Sequence, residues 1–406
     1  MSYEIKKILI PHATGPRNPG DQAILLSEIE LLRNIFPSVR PVVHSSDPNL
    51  YTDSSFASSL KHTIYSWVVF DNPKAGVRFL RFFEFLVRLF FYQLSFSLPK
   101  KSYLADLLDD YAQADLIVFP GGGYLRSKSG VKQTLNLMMQ LLMIYTARLL
   151  CKKVIVMPIS FGPFYYKWQE RISAIALSYL NLVILREGYS YHKLESYRLS
   201  NIRRGFDSAL LGSKRLLTKR ENLVLGLTLR NWLPKQRQSF FEEEVVRALA
   251  TFCKVRGMHV QPIVQVSTTL IEEDDERVVR RVMGKLEKLG VNLLPVHFVK
   301  DVDDAIDTYG RLELLLGMRM HSNIIAATQG IPFVAISYEY KTEGIGEDLG
   351  MQDYVISCEA VTVDALYNLL QKAYEARAML SESLNKRVAE IQIAERNRWE
   401  KVFSNI

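Results

Sequence analysis

Leu312-Glu313-Leu314-Leu315-Leu316-Gly317-Met318-Arg319-Met320-His321-Ser322 joins an apolar run of strand length to a segment with the character of a helix start. Strands of parallel sheets are covered on both faces and read as unbroken apolar runs, so this stretch predicts a buried strand, a tight turn and a helix. Arg319 and His321 then sit at a strand's carboxyl end, where open α/β sheets bind ligands and helix N–H groups favour an anion. An arginine clamps phosphate or carboxylate bidentately, and a histidine moves protons near neutral pH. The bland reading carries comparable weight: Ser322 is a helix N-cap, and Arg319 and His321 are polar loop residues.

Working outward, the alternation of apolar runs and longer helical patterns extends from end to end, the signature of βαβ units and parallel sheets. In the first half, strands are expected at 8–10, 41–44, 116–119, 154–157 and 182–185, with a buried core helix at 135–150. A polar, basic segment at 211–222 reads as a linker. Strands then recur at 223–229, 259–264, 312–316 and 332–336, with helices at 241–253 and 274–289. The fold class expected is α/β, two doubly wound Rossmann-like domains facing a cleft. Their bounds are 1–210 and 223–380, with a C-terminal helix at 381–406 able to pack back on the first domain.

Composition narrows the function classes. The chain has 406 residues, 48% of them hydrophobic, and its formal charge of +8 favours anionic partners. The charge is dispersed, and no dense basic block argues for nucleic acid. Cys151, Cys253 and Cys358 lie far apart without metal-type spacing, which fits reduced thiols in a cytoplasmic protein. The N-terminal residues lack a signal-peptide apolar region, and no metal site is read.

Further candidates share the strand-end position. Asn18-Pro19-Gly20-Asp21 follows the first strand; Gly20 permits close backbone approach, and Asp21 is placed to cap the first helix. Gly121-Gly122-Gly123 follows the strand at 116–119, and Ser160-Phe161-Gly162-Pro163 the strand at 154–157. Arg186-Glu187 closes the strand at 182–185, with Ser190 as a helix cap; Arg186 either binds an anion or pairs with Glu187 and its neighbours. Asp207 is a second candidate for the cleft. Arg230 ends the strand at 223–229, and Trp232 either stacks on a sugar or covers the core. Lys341 follows the strand at 332–336, its default role a surface salt bridge. Asp301-Val302-Asp303-Asp304 and residues 272–276 read as acidic helix starts rather than metal sites.

In order, these segments resemble the polysaccharide pyruvyl transferase family over about residues 8–356. Asn18-Pro19-Gly20-Asp21-Gln22-Ala23-Ile24 is similar to its Asn-x-Gly-Asp-x-Ala-Ile opening, and Gly121-Gly122-Gly123 to its glycine turn. Arg186-Glu187-x-x-Ser190 is similar to its Arg-Asp-x-x-Ser, with Glu187 in place of Asp. Gly317-Met318-Arg319-Met320-His321 and Ser337-Tyr338-Glu339-Tyr340-Lys341 resemble its Gly-x-Arg-x-His and Ser-Tyr-x-x-Lys blocks. Phe206-Asp207-Ser208-Ala209 matches its Asp-Pro-Ala loosely, and Ser160-Phe161-Gly162-Pro163 replaces Gly-Ile-Gly-Pro.

The resemblance implies a GT-B-like architecture with the active site between two domains. It implies transfer of pyruvate from phosphoenolpyruvate, a co-substrate rather than a cofactor, to two hydroxyls of a sugar or lipid-linked saccharide, giving a cyclic ketal. Arg186, Arg319 and Lys341 would hold the phosphate and carboxylate, assisted by the helix after Ser322. Arg230 would hold the acceptor or phosphate, and His321 would transfer the proton. A nucleotide-sugar glycosyltransferase and a non-catalytic subunit of polysaccharide assembly are the alternatives, and homo-oligomers are compatible with either.

Residues 65–101, dense in Phe, Leu and Tyr and bordered by Arg78, Arg81, Arg88, Lys100 and Lys101, have two readings. One is an interfacial segment at the inner face of a membrane, the other a buried helix pair with its arginines snorkelling outward.

Overall fold

A computed structural model describes residues 5–51, 53, 55–69, 75–93, 102–150, 152–215, 223–267 and 275–404. Cys151, Lys100, Lys101, residues 216–222 of the expected linker and residues 272–274 lie outside these. The chain divides into two compact units: residues 1–16, 24–208 and 396–406, and residues 17–23 and 209–395.

The first unit follows the order β1 (Ile8–Ala13), α1 (Pro19–Ile35), β2 (Val42–Ser45), β3 (Ser59–His62), α2 (Ile64–Val69), α3 (Ala75–Gln93), α4 (Tyr103–Gln113) and β4 (Leu116–Phe119). It continues with α5 (Val131–Leu149), β5 (Lys153–Ile159), α6 (Lys167–Ser178), β6 (Leu182–Leu185), α7 (Gly188–Glu195) and β7 (Ile202–Arg204). Seven parallel strands form one sheet in the order β3-β2-β1-β4-β5-β6-β7. Leu9, Ile117, Val156 and Val183 from four adjacent strands are fully buried in one apolar cluster, each contributing roughly 1.5–3 kcal/mol. The strand order turns between β1 and β4, which makes their carboxyl ends the ligand crevice of a doubly wound sheet.

Two expectations need correction here. α5 is not buried throughout: Leu137, Leu141, Ile144 and Ala147 pack inward, but Val131, Leu135 and Met138 are exposed. Nor is α3 a buried helix, since it sinks Phe85 and Leu89 while exposing Phe79, Leu80, Phe83, Leu86 and Phe90. Its apolar residues exceed what one helix face can bury.

The second unit contains β8 (Val224–Thr228), α8 (Lys235–Arg256), β9 (His259–Val264), α9 (Glu276–Lys288), β10 (His297–Phe298), α10 (Val302–Gly310) and β11 (Leu314–Gly317). After it come α11 (Met320–Thr328), β12 (Phe333–Ser337), α12 (Tyr340–Asp348), β13 (Val355–Ser357), α13 (Val363–Glu375) and α14 (Arg377–Ser404), whose residues from 396 onward count with the first unit. Its six-stranded sheet is ordered β10-β9-β8-β11-β12-β13, again parallel, and turns between β8 and β11. Local chemistry sets several helix ends. Asp301 caps α10 by accepting the Asp304 N–H at 2.9 Å, and Gly257 ends α8 with the left-handed φ of +66° that favours glycine.

Among the described residues, Cys253 and Cys358 are buried free thiols. None of the described helices is long and apolar enough to cross a membrane.

Candidate functional site

The turn of the second sheet gathers the basic candidates. β8 ends at Thr228 and leads into Arg230, β11 ends at Gly317 and leads into Arg319 and His321, and β12 leads into Lys341. Register fixes this: Gly317 pairs with Thr228 on one side and Ala335 on the other.

Arg319 lies at the N-cap position of α11, and its guanidinium is engaged by Asp275. Nε lies 3.0 Å from both carboxylate oxygens and Nη2 2.5 Å from Oδ1. The Asp275 side chain is fully buried and also accepts the Val266 N–H at 3.1 Å. Arg319 is therefore locked in orientation by its own chain, and its charge is locally balanced.

Ser322 is not the N-cap. It is the third residue of α11, buried, donating to the Arg319 carbonyl at 2.6 Å and sharing a hydrogen bond with Thr228 Oγ1 at 2.9 Å. Its hydroxyl ties the end of β8 to the turn that carries Arg319.

His321 is half-buried, and Gly20 lies against it: a Cβ added at Gly20 would overlap the imidazole ring. The helix start that presents Gly20 is organised by Asn18 rather than by Asp21. Asn18 Oδ1 accepts the Gly20 N–H at 3.1 Å, while its Nδ2 donates to Asp21 at 2.9 Å. The two motifs, 301 residues apart in sequence, are thus in van der Waals contact.

Arg230 has an aromatic setting. Its guanidinium carbon lies 5.1 Å from the Trp232 ring centroid and 4.8 Å from that of Tyr338, within cation–π range. Nη1 donates to the Tyr338 hydroxyl at 3.0 Å, and Nε is buried with no hydrogen-bond partner. Trp232 and Tyr338 also pack on each other, ring centroids 4.7 Å apart, so the three groups form one cluster. Lys341 is buried, with Nζ 3.7 Å from Glu339.

The turn of the first sheet gathers a different chemistry. Gly121 donates to the Glu28 carboxyl at 2.9 and 3.2 Å, and a Cβ there would meet the Pro158 carbonyl at 2.6 Å. Gly122, at φ +127°, exchanges hydrogen bonds with the end of β5: its N–H reaches Pro158 O at 3.1 Å and its carbonyl takes the Ser160 N–H at 2.9 Å. The glycines let β4, β5 and Glu28 close on one another. Glycine-turn partners for Gly123 are not among these contacts.

Glu28 also accepts from Ser208 at 2.7 Å. Burial outweighs these donors and pushes its carboxyl up to about 8. Beside it lie Tyr124, whose hydroxyl burial raises, and His12 on β1, whose ring meets that of Tyr124 edge-on at 4.7 Å. Both His12 nitrogens are buried without a partner, and burial lowers its imidazole to about 4, so it is neutral at pH 7.

Arg186 is buried in the first unit, donating to Asp207 at 2.8 Å and to Ser160 at 2.8 Å. This is the pairing alternative with Asp207, not Glu187, as the close partner. Ser190 does not cap α7 through its side chain: it accepts the Phe161 N–H at 2.7 Å and donates to Glu187.

Glu28, His12, Tyr124 and Asp275 were not singled out in the sequence. Asp275 is hidden in the acidic run 272–276, whose members look alike until one is buried. His12 gave a signal, a polar residue within the otherwise apolar run 8–13.

With this geometry in view, the likenesses to known proteins can be placed. A relative, the amylovoran biosynthesis protein AmsJ of Erwinia amylovora, is 26% identical over 280 residues, covering 63% of this chain and 65% of AmsJ. Among solved structures, Anabaena HepE in complex with UDP and glucose is similar at a TM-score of 0.57 and 12% identity, over 99% of this chain and all of HepE. A putative UDP-N-acetylglucosamine 2-epimerase from Listeria monocytogenes gives 0.56 at 8% identity, over 98% of both chains. At such identities the likeness shows the fold alone, the GT-B type built of two doubly wound units. The sequence profile of the polysaccharide pyruvyl transferases matches residues 18–340, so the segment holding both Gly20 and His321 lies inside it, and the chain belongs to that family.

Proposed function

We propose that the protein transfers the enolpyruvyl carbons of phosphoenolpyruvate to two hydroxyls of a saccharide, forming a cyclic pyruvate ketal in surface-polysaccharide synthesis. The observation that carries this reading is the assembly at the second sheet's turn: Arg230, Arg319, His321 and Lys341 follow the carboxyl ends of three adjacent strands, with Gly20 packed on the imidazole. Phosphoenolpyruvate offers a phosphate and a carboxylate, the two groups that guanidinium and ammonium side chains bind best. In this reading it is a co-substrate, no resident cofactor takes part, and the acceptor is a free or lipid-linked sugar at the cytoplasmic side.

A proton added to the methylene carbon leaves an oxocarbenium-like C2, which the first sugar hydroxyl attacks, giving up its proton. The C2–O bond to phosphate breaks, the second hydroxyl closes on C2, and its proton leaves with inorganic phosphate. His321 is assigned the proton delivery to the methylene, a role for which a positioned imidazole contributes roughly 10²–10⁴-fold. Arg319, fixed by Asp275, orients the substrate, Arg230 supplies positive charge, and Lys341, paired with Glu339, contacts an anionic group of it.

A strain lacking the gene should lose ketal-linked pyruvate from its surface polysaccharide, and regain it with the wild-type gene but not with His321→Ala. Purified protein should be stabilised against heat by phosphoenolpyruvate, in wild type and His321→Ala alike. Stabilisation by nucleotide sugars alone, or full complementation by His321→Ala, defeats the assignment.

A further inference from the structure

We propose that the first unit docks on an anionic lipid surface, using the start of α5, residues 165–168 at the start of α6 and the outer face of α3. Between Asp115 and Glu170 the sequence holds seven lysines and arginines and no acidic residue. The fold brings part of that stretch together. The Tyr165 N–H donates to the Ser127 carbonyl at 3.0 Å, and Gln169 Nε2 donates to Thr134 Oγ1 at 3.0 Å, so the turn before α6 lies beside the start of α5.

The surface so formed is apolar and aromatic, with a basic border. Val131 is 77% exposed, Leu135 58%, Tyr165 62% and Trp168 45%, and Arg126, Lys128, Lys132 and Lys167 are exposed around them. Tyrosine and tryptophan rings with a polar edge favour the headgroup region of a bilayer, where lysine and arginine meet lipid phosphate. α2 packs against both α5 and α3, and Tyr65 of α2 donates to Asn136 of α5. On α3, Phe79, Phe83, Leu86 and Phe90 recur at helical spacing on one exposed face, as in a helix lying in an interface.

Charge decides between a membrane and a second copy of this chain. A two-fold dimer sets the same patch against itself, and at the start of α5 and residues 165–168 that means cation against cation, since residues 116–169 hold no acid, whereas an anionic leaflet complements it. Both faces border elements that follow the carboxyl ends of β3 and β4, so docking here would hold the β1–β4 turn close to lipid-borne sugars.

The test is co-sedimentation of the full chain with vesicles of phosphatidylcholine alone and of phosphatidylcholine mixed equally with phosphatidylglycerol. Binding is expected to the mixed vesicles only, and to weaken as salt rises. Each basic residue near an anionic leaflet is worth roughly fivefold in partitioning. Lys128→Glu with Lys132→Glu should therefore cut binding at least about tenfold, as should Tyr165→Ala with Trp168→Ala, and Phe83→Asp should weaken it. These positions are exposed, so unchanged circular dichroism and melting temperature establish that the variants fold. Equal binding to neutral vesicles, no binding at low salt, or unaltered binding by all variants overturns the proposal. So does self-association that the same substitutions abolish.

Discussion

Replacing Glu28 with Gln should abolish a specific pH dependence of stability. The carboxyl is enclosed by the Gly121 N–H and the Ser208 hydroxyl, and burial raises its pKa from 4.5 to about 8. Between these values the folded chain holds a proton that the unfolded chain releases, so unfolding free energy falls as pH rises. At about 1.4 kcal/mol per tenfold change in proton affinity, the full effect is roughly 5 kcal/mol, present at low pH and lost by about pH 8. Glutamine keeps the neutral shape and cannot titrate. In urea unfolding between about pH 5 and pH 8, the stability of Glu28→Gln minus that of wild type should therefore climb by roughly 4 kcal/mol. His12 works in the opposite direction: its imidazole is lowered from 6.5 to about 4, so stability is lost as pH falls through that interval. It acts in both proteins and cancels from the difference. Parallel stability curves for the two proteins would refute the reasoning, because they would mean that Glu28 is ionised in the fold at neutral pH.

Asp275→Asn leaves the Arg319 guanidinium beside a neutral amide in a buried site, and breaking such a pair costs about 3–5 kcal/mol. A drop in melting temperature, with weaker stabilisation by phosphoenolpyruvate, is the expected result; an unchanged melt would mean that the pair is dispensable. Gly20→Ala must push the His321 ring aside. Misplacing a catalytic group by about 1 Å costs roughly 10²-fold in rate, so turnover should fall while stabilisation by phosphoenolpyruvate persists. Wild-type turnover in this variant would remove His321 from the chemistry.

The apolar runs were enough to read both parallel sheets, since strands such as β4 and β11 are buried on both faces and carry no competing pattern. Short edge strands escaped for the opposite reason. β3 reads Ser-Leu-Lys-His and is half-buried, while β10 is two residues long, so neither has a periodicity to detect. Strand-end positions of Arg319, His321 and Arg230 were legible because sheet topology fixes them. Their partners were not: pairing Arg319 with Asp275 requires the register of β8, β9 and β11, and no local pattern encodes it.

That hidden pairing redistributes the work among the cations. Asp275 neutralises Arg319 and Asp207 neutralises Arg186, so neither guanidinium adds much net field at long range, whatever its geometry contributes at contact. Arg230 differs in its contacts: its guanidinium lies against the rings of Trp232 and Tyr338, which accept a cation without cancelling its charge, and Asp275 acts on it only at longer range than on Arg319. On the proposed reading, a trianionic substrate would be drawn chiefly by Arg230, since Lys341 is itself paired with Glu339, then oriented by an Arg319 already held in place. On that reading, the site would separate capture by Arg230 from alignment by Arg319. That division would explain why a buried acid beside Arg319 is compatible with binding an anion. Asp275 removes the entropy cost of ordering the guanidinium, which a lone exposed arginine would bear at each encounter.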